Sequence, residues 1–185
     1  MRLFIALDIP AKIRARLTEY MERARKLAPD ARWARVEGLH VTLKFVGTFS
    51  DARLEEMKAA LTAVKAARFE VKFKGVGFFP NPKAARVFWA AVDGGEQLPC
   101  LALAIDAALE GLGIAREEKP YHPHLTLARA SSRPLRELQS LLTDPQPQFG
   151  TQGFGTMTAR EFFLYQSQPQ KGGSKYTKLE RFRLE

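Results

Sequence analysis

Apolar and polar positions follow two periods along this chain, and together they predict strands and helices that interleave from end to end. A two-residue period is typical of a half-buried strand, and apolar positions three or four residues apart are typical of an amphipathic helix. Strands are predicted at residues 2–8, 39–47, 69–79, 86–92, 124–130, 149–154, 159–167 and 176–184. Helices are predicted at residues 10–28, 50–64, 97–112 and 134–142. The polar, glycine-containing stretch 168–174 is predicted to be a loop.

This interleaving favours a layered fold of the α+β or α/β class. The order strand, helix, strand, helix and hairpin in the first part is echoed by helix, strand, helix and strands in the second. We therefore expect two similar lobes. Because no low-complexity stretch separates them, residues 1–185 are expected to form a single domain.

Two of the predicted strands begin with the same pattern, His-x-Thr-Leu, and lie nearly half the chain length apart. Successive side chains of a strand point to opposite faces, so His40 shares a face with Thr42, and His124 shares a face with Thr126. Each strand thus buries apolar side chains on one face and presents an imidazole beside a hydroxyl on the other. We expect the two strands to meet where the lobes join, with one imidazole on each side of a bound group.

A pair of imidazoles with a pair of hydroxyls is suited to cleaving a phosphodiester without a metal ion. One neutral imidazole can take a proton from an attacking water, while the other, protonated, gives a proton to the leaving oxygen. The threonine hydroxyls can donate hydrogen bonds to phosphoryl oxygens, where negative charge develops. A single histidine in an apolar strand is more often structural, but repetition of the whole motif in a chain with three histidines favours a functional pair.

Three further residues near the motifs have competing interpretations. Lys44 has the parity of His40, so it reaches either the same cleft or the solvent at the strand end. Arg129 has the opposite parity from His124 and points away from that imidazole if the strand is regular. His122 and His124 have the look of a metal-ligand pair, but the chain lacks a cysteine cluster and a His-Glu-x-x-His helix. We therefore expect no metal site and interpret His122 as a structural or rim residue.

The charge balance favours an anionic partner. Lysine and arginine number 29 against 20 aspartates and glutamates, which gives a net charge of +9. Such an excess is typical of proteins that bind nucleic acid, nucleotides, phosphates or anionic membranes. The alternative is a composition that is simply rich in arginine, because arginine is used heavily along the whole chain.

The composition is that of a globular protein from a reducing compartment. Hydrophobic residues make up 45% of the chain, and no apolar run is long enough to span a bilayer. The opening residues carry charges and lead to no signal-peptide cleavage site. The single cysteine, Cys100, excludes an intrachain disulfide. We therefore expect a cytoplasmic protein.

The two motifs and their flanks resemble the signatures of the two-histidine phosphoesterases. Within that superfamily they are similar to the RNA 2′,3′-cyclic phosphodiesterases, a LigT-like family formerly called 2′-5′ RNA ligases. The first signature is matched by Trp33-Ala-Arg-Val-Glu37-Gly-Leu-His40-Val-Thr42-Leu-Lys-Phe-Val-Gly47. The second is matched by Tyr121-His-Pro-His124-Leu-Thr126-Leu-Ala-Arg129. Residues 1–7 and 164–176 are also similar, so the resemblance covers essentially the whole chain.

The resemblance implies an α+β fold of two pseudo-symmetric lobes, each a mostly antiparallel sheet with helices on the outside, and an active-site cleft between them. It implies hydrolysis of RNA 2′,3′-cyclic phosphodiester ends to 2′-phosphomonoesters without a metal or other cofactor. His40 would donate a proton to the leaving 3′ oxygen, and His124 would activate water. Thr42 and Thr126 would hold the phosphoryl oxygens, and Arg129 would assist phosphate binding. The expected partner is RNA with a cyclic phosphate end, or a small cyclic nucleotide, bound by a monomer that has no membrane partner.

Two other functions remain compatible with the residues. A nucleotide-binding or RNA-end-binding module would use the same pocket without turning over its ligand. Ligation of RNA ends into a 2′-5′ linkage is the reverse of the same chemistry, and dilute water favours hydrolysis. Turnover that resists EDTA and is lost on substitution of either histidine would distinguish the hydrolase from the binding module.

Overall fold

The fold consists of two antiparallel sheets with helices packed on their outer faces. The computed structural model describes residues 1–143 and 153–185. The strands in these ranges are β1 (Arg2–Asp8), β2 (Arg32–Trp33), β3 (His40–Thr48), β4 (Phe69–Phe79), β5 (Val87–Asp93), β6 (His124–Arg129), β7 (Gly155–Ala159), β8 (Glu161–Gln170) and β9 (Gly173–Arg183). The α-helices are α1 (Ala11–Arg25), α2 (Leu54–Thr62) and α3 (Gln97–Glu110), and 3₁₀ turns cover Val36–Gly38, Asp51–Arg53 and Arg136–Leu142. These elements confirm the predicted α+β class.

The two sheets have the same plan. The first sheet has the strand order β3-β1-β8-β9, and the second has the order β2-β6-β5-β4-β7. Apart from the short edge strand β2, each sheet is therefore a row of four strands that begins with a motif strand. The lobes are not the two halves of the chain, because hairpin β4–β5 joins the second sheet and the C-terminal strands join the first. The order of elements along the chain does not specify this pairing.

Each sheet buries one face against helices. In the first sheet, β1 turns Leu3, Ile5 and Leu7 inward, and its neighbour β3 packs against α3. Helix α1 covers the second sheet, where the ring of Tyr20 lies 5.2 Å from that of Phe154. The apolar faces that these two periods create on the strands and the helices therefore pack together in one core. No helix in residues 1–143 and 153–185 is long and apolar enough to cross a membrane.

Three predicted elements differ from the structure. The helix at 134–142 is a 3₁₀ turn that starts at residue 136. Of the strand predicted at 149–154, residues 149–152 lie outside the described residues and 153–154 form a turn before β7. The loop predicted at 168–174 is paired strand, because β8 and β9 continue to the pair Gln170 and Gly173. A two-stranded ribbon held by backbone hydrogen bonds needs no apolar side chains, so its hydropathy pattern resembles that of a loop.

Candidate active site

The two motif strands approach each other where the lobes join. Cα atoms of β3 and β6 come within 8 Å of one another although the strands belong to different sheets. The hydroxyl of Tyr121, three residues before the second motif, donates a hydrogen bond of 2.8 Å to the carbonyl of Thr42 in the first motif. The structure therefore places the two motif strands side by side where the sheets meet.

Both imidazoles are held by the same hydrogen bond. Nδ1 of His40 lies 2.6 Å from the carbonyl oxygen of Gly38, and Nδ1 of His124 lies 2.6 Å from that of His122. A carbonyl oxygen only accepts hydrogen bonds, so Nδ1 carries the hydrogen in each ring. The other nitrogen, Nε2, is then left to accept a proton when the ring is neutral or donate one when the ring is charged.

Strand β3 contains a β-bulge at the last residue of its motif, and the bulge reverses the parity of the next residue. The pairing of β3 with β1 skips Leu43, so Lys44 lies opposite Ile5 on the core face. There the Lys44 ammonium group is buried, binds the Asp106 carboxylate and donates to the carbonyl of Ala115. The prediction that Lys44 reaches the cleft or the solvent is therefore wrong.

Strand β6 has its bulge at the corresponding position, and there the bulge turns an arginine toward the motif face. The pairing of β6 with β5 skips Leu127, so Arg129 lies opposite Val87, two residues from the β5 partner of Thr126. Arg129 is thus on the face of Thr126 and His124, and its positive charge helps lower the pKa of His124. Arg129 would point away from the imidazole only in a regular strand, and this strand bulges before it.

Aromatic rings surround His40 on the first sheet. Its ring centroid lies 4.5 Å from that of Phe4 and 5.1 Å from that of Tyr176, which meets it edge-on. Burial by these neighbours lowers the pKa of His40 to about 4, and the positive charges of Arg14 and His124 add to the effect. The two imidazoles therefore lie within electrostatic range of each other.

His124 has a more open aromatic environment on the second sheet. Phe79 meets it edge-on at 5.0 Å, and Trp89 lies 6.4 Å away. Burial lowers the pKa of His124, and the charges of His122 and Arg129 lower it further. In the structure, His122 is exposed at the rim with its ring against Trp89.

Two residues of this cleft were missed in the sequence. Tyr121 holds the motifs together through its buried hydroxyl, and an aromatic residue three positions before a histidine gives no signal of that contact. Phe45 lies opposite Phe4, on the His40 face, and is 67% exposed, which is unusual for a phenylalanine. Phe45 and Arg129 each stand five residues after a motif histidine, so alignment of the two motifs would have singled out both positions.

The described residues contain no group of three or more histidine, cysteine, aspartate or glutamate side chains that could hold a metal ion. The polar groups that the two motif strands present include two imidazoles, two half-buried threonines and one arginine. Chemically, such a set can bind an anion and move protons on both sides of it. The fold and this paired site are those of a two-histidine phosphoesterase.

Comparisons with known proteins identify the family within that class. The family model described as LigT like Phosphoesterase matches residues 7–89. The RNA 2′,3′-cyclic phosphodiesterase of Archaeoglobus fulgidus is 31% identical over 182 residues, which are 98% of this chain and 99% of the relative. The protein of the same name from Thermus thermophilus is 32% identical over an alignment of 195 positions, which covers 100% of this chain and 90% of the relative. The chain belongs to the LigT-like phosphoesterase family.

Solved structures agree with this assignment. A crystal structure of a Thermus thermophilus protein superposes with a TM-score of 0.78 at 29% identity, over 99% of this chain and 97% of that one. Escherichia coli LigT complexed with 3′-AMP superposes with a TM-score of 0.77 at 26% identity, over the same shares of the two chains. The similarity therefore extends over both lobes.

Proposed function

We propose that this protein hydrolyses RNA 2′,3′-cyclic phosphodiester ends to 2′-phosphomonoesters by a metal-independent mechanism in which two histidines act as acid and base. The observation that supports the proposal is that His40 and His124 are each fixed through Nδ1 and begin two strands that lie next to each other. Relatives that are similar over the whole chain carry the name of this activity. The complex of Escherichia coli LigT with 3′-AMP supports a nucleotide as the ligand.

In this mechanism the phosphate binds between the two imidazoles. Nε2 of neutral His124 takes a proton from a water that attacks the phosphorus, and Nε2–H of protonated His40 gives a proton to the leaving 3′ oxygen. The P–O3′ bond breaks as the new P–O bond forms, which leaves the 2′-phosphate. Thr42 and Thr126 donate hydrogen bonds to the non-bridging oxygens, and Arg129 adds a positive charge on the His124 side. The backbone geometry is the same at both histidines, so the assignment of acid and base follows the family resemblance.

The electrostatics of the free site makes a prediction about pH. Burial depresses the pKa of both imidazoles, most strongly at His40, where it falls to about 4. The form with one protonated and one neutral ring is therefore most populated at acidic pH. The profile of kcat/KM reports the free enzyme, so it should be bell-shaped with an optimum below pH 6.5. A bound phosphate anion favours protonation, so the optimum of kcat should lie at higher pH.

The decisive experiment is incubation with an oligonucleotide that ends in a 2′,3′-cyclic phosphate, in the presence of EDTA, with identification of the product isomer. We expect a 2′-phosphate from the native protein and almost no product from His40→Ala or His124→Ala. Folding of both variants is checked by their circular dichroism. If either variant turns over at the native rate, the proposal is wrong. Tight binding of the oligonucleotide without any product would instead identify a binding module.

The remaining features of the proposal concern the state of the protein in the cell. We propose that it acts as a monomer in the cytoplasm, as one two-lobed domain. The single cysteine, Cys100, is exposed and unpaired, which suits a reducing compartment. Contacts between the motif strands join the lobes within one chain, so the cleft needs no residue from a second copy.

A further inference from the structure

The β8–β9 hairpin extends beyond the first sheet, and its tip lies beside the segment that leads into His40. The pairing of β1 with β8 ends at Ser167, whereas β8 and β9 stay paired to Gln170 and Gly173. The structure thus has a free two-stranded ribbon at residues 168–175. The Arg35 guanidinium donates to the carbonyl of Lys171 at the tip, at 3.5 Å. Because Arg35 precedes the 3₁₀ turn before His40, the tip is anchored close to the cleft.

The charge of this ribbon is of one sign. Residues 162–179 contain lysines at 171, 175 and 178 and no aspartate or glutamate. Lys178 binds Asp8, but Lys171 and Lys175 are exposed, and neither forms an ion pair with any residue in 1–143 or 153–185. The neighbouring Arg35 is also exposed. The other side chains of the tip are mostly neutral hydrogen-bonding groups, among them glutamines at 166, 168 and 170.

One aromatic residue connects the ribbon to the cleft. The ring of Tyr176 meets His40 edge-on at 5.1 Å and is 38% exposed. It packs so close to Gly38 that a Cβ there would lie 3.1 Å from the ring. A partly exposed ring therefore lies between the imidazole and the ribbon. Lys175 lies on the opposite face of the strand from that ring, and Lys171 lies in the turn at the tip.

We propose that this ribbon, with Arg35, binds the RNA strand on the 5′ side of the nucleotide that carries the cyclic phosphate. Proteins bind single-stranded nucleic acid by following its phosphates with positive charges and stacking bases on aromatic side chains. Strand β9 spans about 10 Å from Tyr176 to Gly173 at the rise of a strand, and the turn carries Lys171 beyond it, which accommodates about two nucleotides. The inference rests on the proposed function, and it makes the preferred substrate an oligonucleotide rather than a cyclic mononucleotide.

The test compares two substrates in two double variants. The first variant, Lys171→Gln with Lys175→Gln, removes the free charges of the tip. The matched control, Arg160→Gln with Arg183→Gln, removes two exposed charges at the opposite end of the same hairpin. For each protein, kcat/KM is measured on a cyclic-phosphate-ended tetranucleotide and on the corresponding cyclic mononucleotide.

We expect the ratio of tetranucleotide to mononucleotide kcat/KM to fall about ten-fold in the tip variant and to stay constant in the control. In the tip variant, the slope of log affinity for the tetranucleotide against log salt should become less steep by about 1.4. Each phosphate contact on a single strand contributes about 0.7 to this slope, and the variant removes two charges. An unchanged ratio in the tip variant would overturn the inference, and so would an equal fall in the control.

A binding measurement separates this inference from the proposed function. The affinity of each protein for a fluorescent tetranucleotide with a 2′-phosphate end is measured by anisotropy, which requires no turnover. Weaker binding by the tip variant alone supports the ribbon as the strand site even if hydrolysis is absent. Equal binding by the native protein and both variants excludes the ribbon whatever the activity. As a second readout at the tip, Arg35→Gln should shift binding in the same direction.

Discussion

His40 and His124 are held by the same hydrogen bond at the same place in their motifs, yet their neighbours differ. His40 packs on Phe4 and against the edge of Tyr176, in a largely closed environment. His124 meets Phe79 edge-on, and its own hydrogen bond to the backbone is exposed to solvent. The fold thus repeats the backbone that orients the imidazoles, while the surrounding side chains give the two rings different affinities for a proton.

The residues just after the motifs show the same contrast. Four positions after the histidine, the first lobe has buried Lys44 and the second has Ala128. Five positions after it, the first lobe has exposed Phe45 and the second has Arg129. The two bulges place these pairs equivalently, so the lobes differ in chemistry at matching points of the backbone. The comparison teaches that the symmetric part of the site orients the two imidazoles and that the asymmetric part gives the two rings different affinities for a proton.

The largest expected effect comes from removing one imidazole at a time. His40→Ala and His124→Ala should each lower kcat by about 10²–10⁴, the usual contribution of a positioned acid or base. A substrate with sulfur in place of the 3′ oxygen needs no proton on its leaving group. That substrate should restore turnover to His40→Ala but not to His124→Ala. Rescue of the His124 variant instead would reverse the acid and base assignments.

The buried ion pair of the first lobe should matter for stability, and it has no counterpart among the described residues of the second lobe. Lys44→Met leaves the Asp106 carboxylate buried without its partner, so the free energy of unfolding should drop by about 3–5 kcal/mol. The double variant Lys44→Met with Asp106→Leu should recover much of this loss. Urea unfolding measures both values. A loss under about 1 kcal/mol in the single variant would contradict a structural role for Lys44.

Acidification should destabilise the protein through His40. Its pKa is about 4 in the folded state, below the usual 6.5, so the unfolded chain binds the proton first as pH falls. Neutral His40 therefore contributes fully to the free energy of unfolding above pH 6.5. This contribution is lost as the pH drops toward 4, by about 3 kcal/mol in total. His40→Asn keeps a donor for the carbonyl of Gly38 and should remove this dependence. Urea unfolding of both proteins at neutral pH and near the folded-state pKa gives the comparison.

The same experiment on the other imidazole sharpens the contrast. His124→Asn should remove a smaller part of the acid dependence, because the environment of His124 is more open. If both variants lose the same part of the pH dependence of the free energy of unfolding, the two environments are electrostatically equivalent.

Substitutions of Phe45 and of Arg129 should have different effects, because we expect Phe45 to contact the base and Arg129 to contact the phosphate. A base stacked on an aromatic side chain contributes about 1–3 kcal/mol, so Phe45→Ala should raise KM about ten-fold. The effect should vanish on a ribose 2′,3′-cyclic phosphate that lacks a base. Arg129→Gln should instead weaken both substrates equally. Leu103→Ala, at another exposed apolar position, is the control and should change neither.

The smallest effect concerns the hydrogen bond that joins the motifs. Tyr121→Phe removes the donor to the Thr42 carbonyl and should cost about 1 kcal/mol of stability, with kcat lowered a few-fold. Tyr20 provides the control, since its buried hydroxyl has no hydrogen-bond partner among the described residues. Tyr20→Phe should therefore leave stability unchanged or raise it. Equal effects of the two substitutions would show that the Tyr121 bond does not contribute.

The sequence predicted the local parts of the fold well because they depend on local periods. Strand β1 and helices α1 and α3 follow directly from apolar spacing, and the parity within each motif placed its histidine and threonine on one face. The extended β8–β9 ribbon was missed because its side chains are polar. Lys44 was placed on the wrong face, and the face of Arg129 stayed conditional on a regular strand, because a bulge leaves no mark in a hydropathy pattern.

By itself the sequence determined which residue types could do the chemistry and how each motif orients them, because alternation along a strand is a property of neighbouring residues. Only the tertiary structure decided that the C-terminal hairpin completes the lobe of the first motif, that Tyr121 reaches Thr42, and that the bulges bring Phe45 and Arg129 to the cleft. These features depend on the register between strands that are distant in the chain. That register is set by the packing of whole sheets and helices.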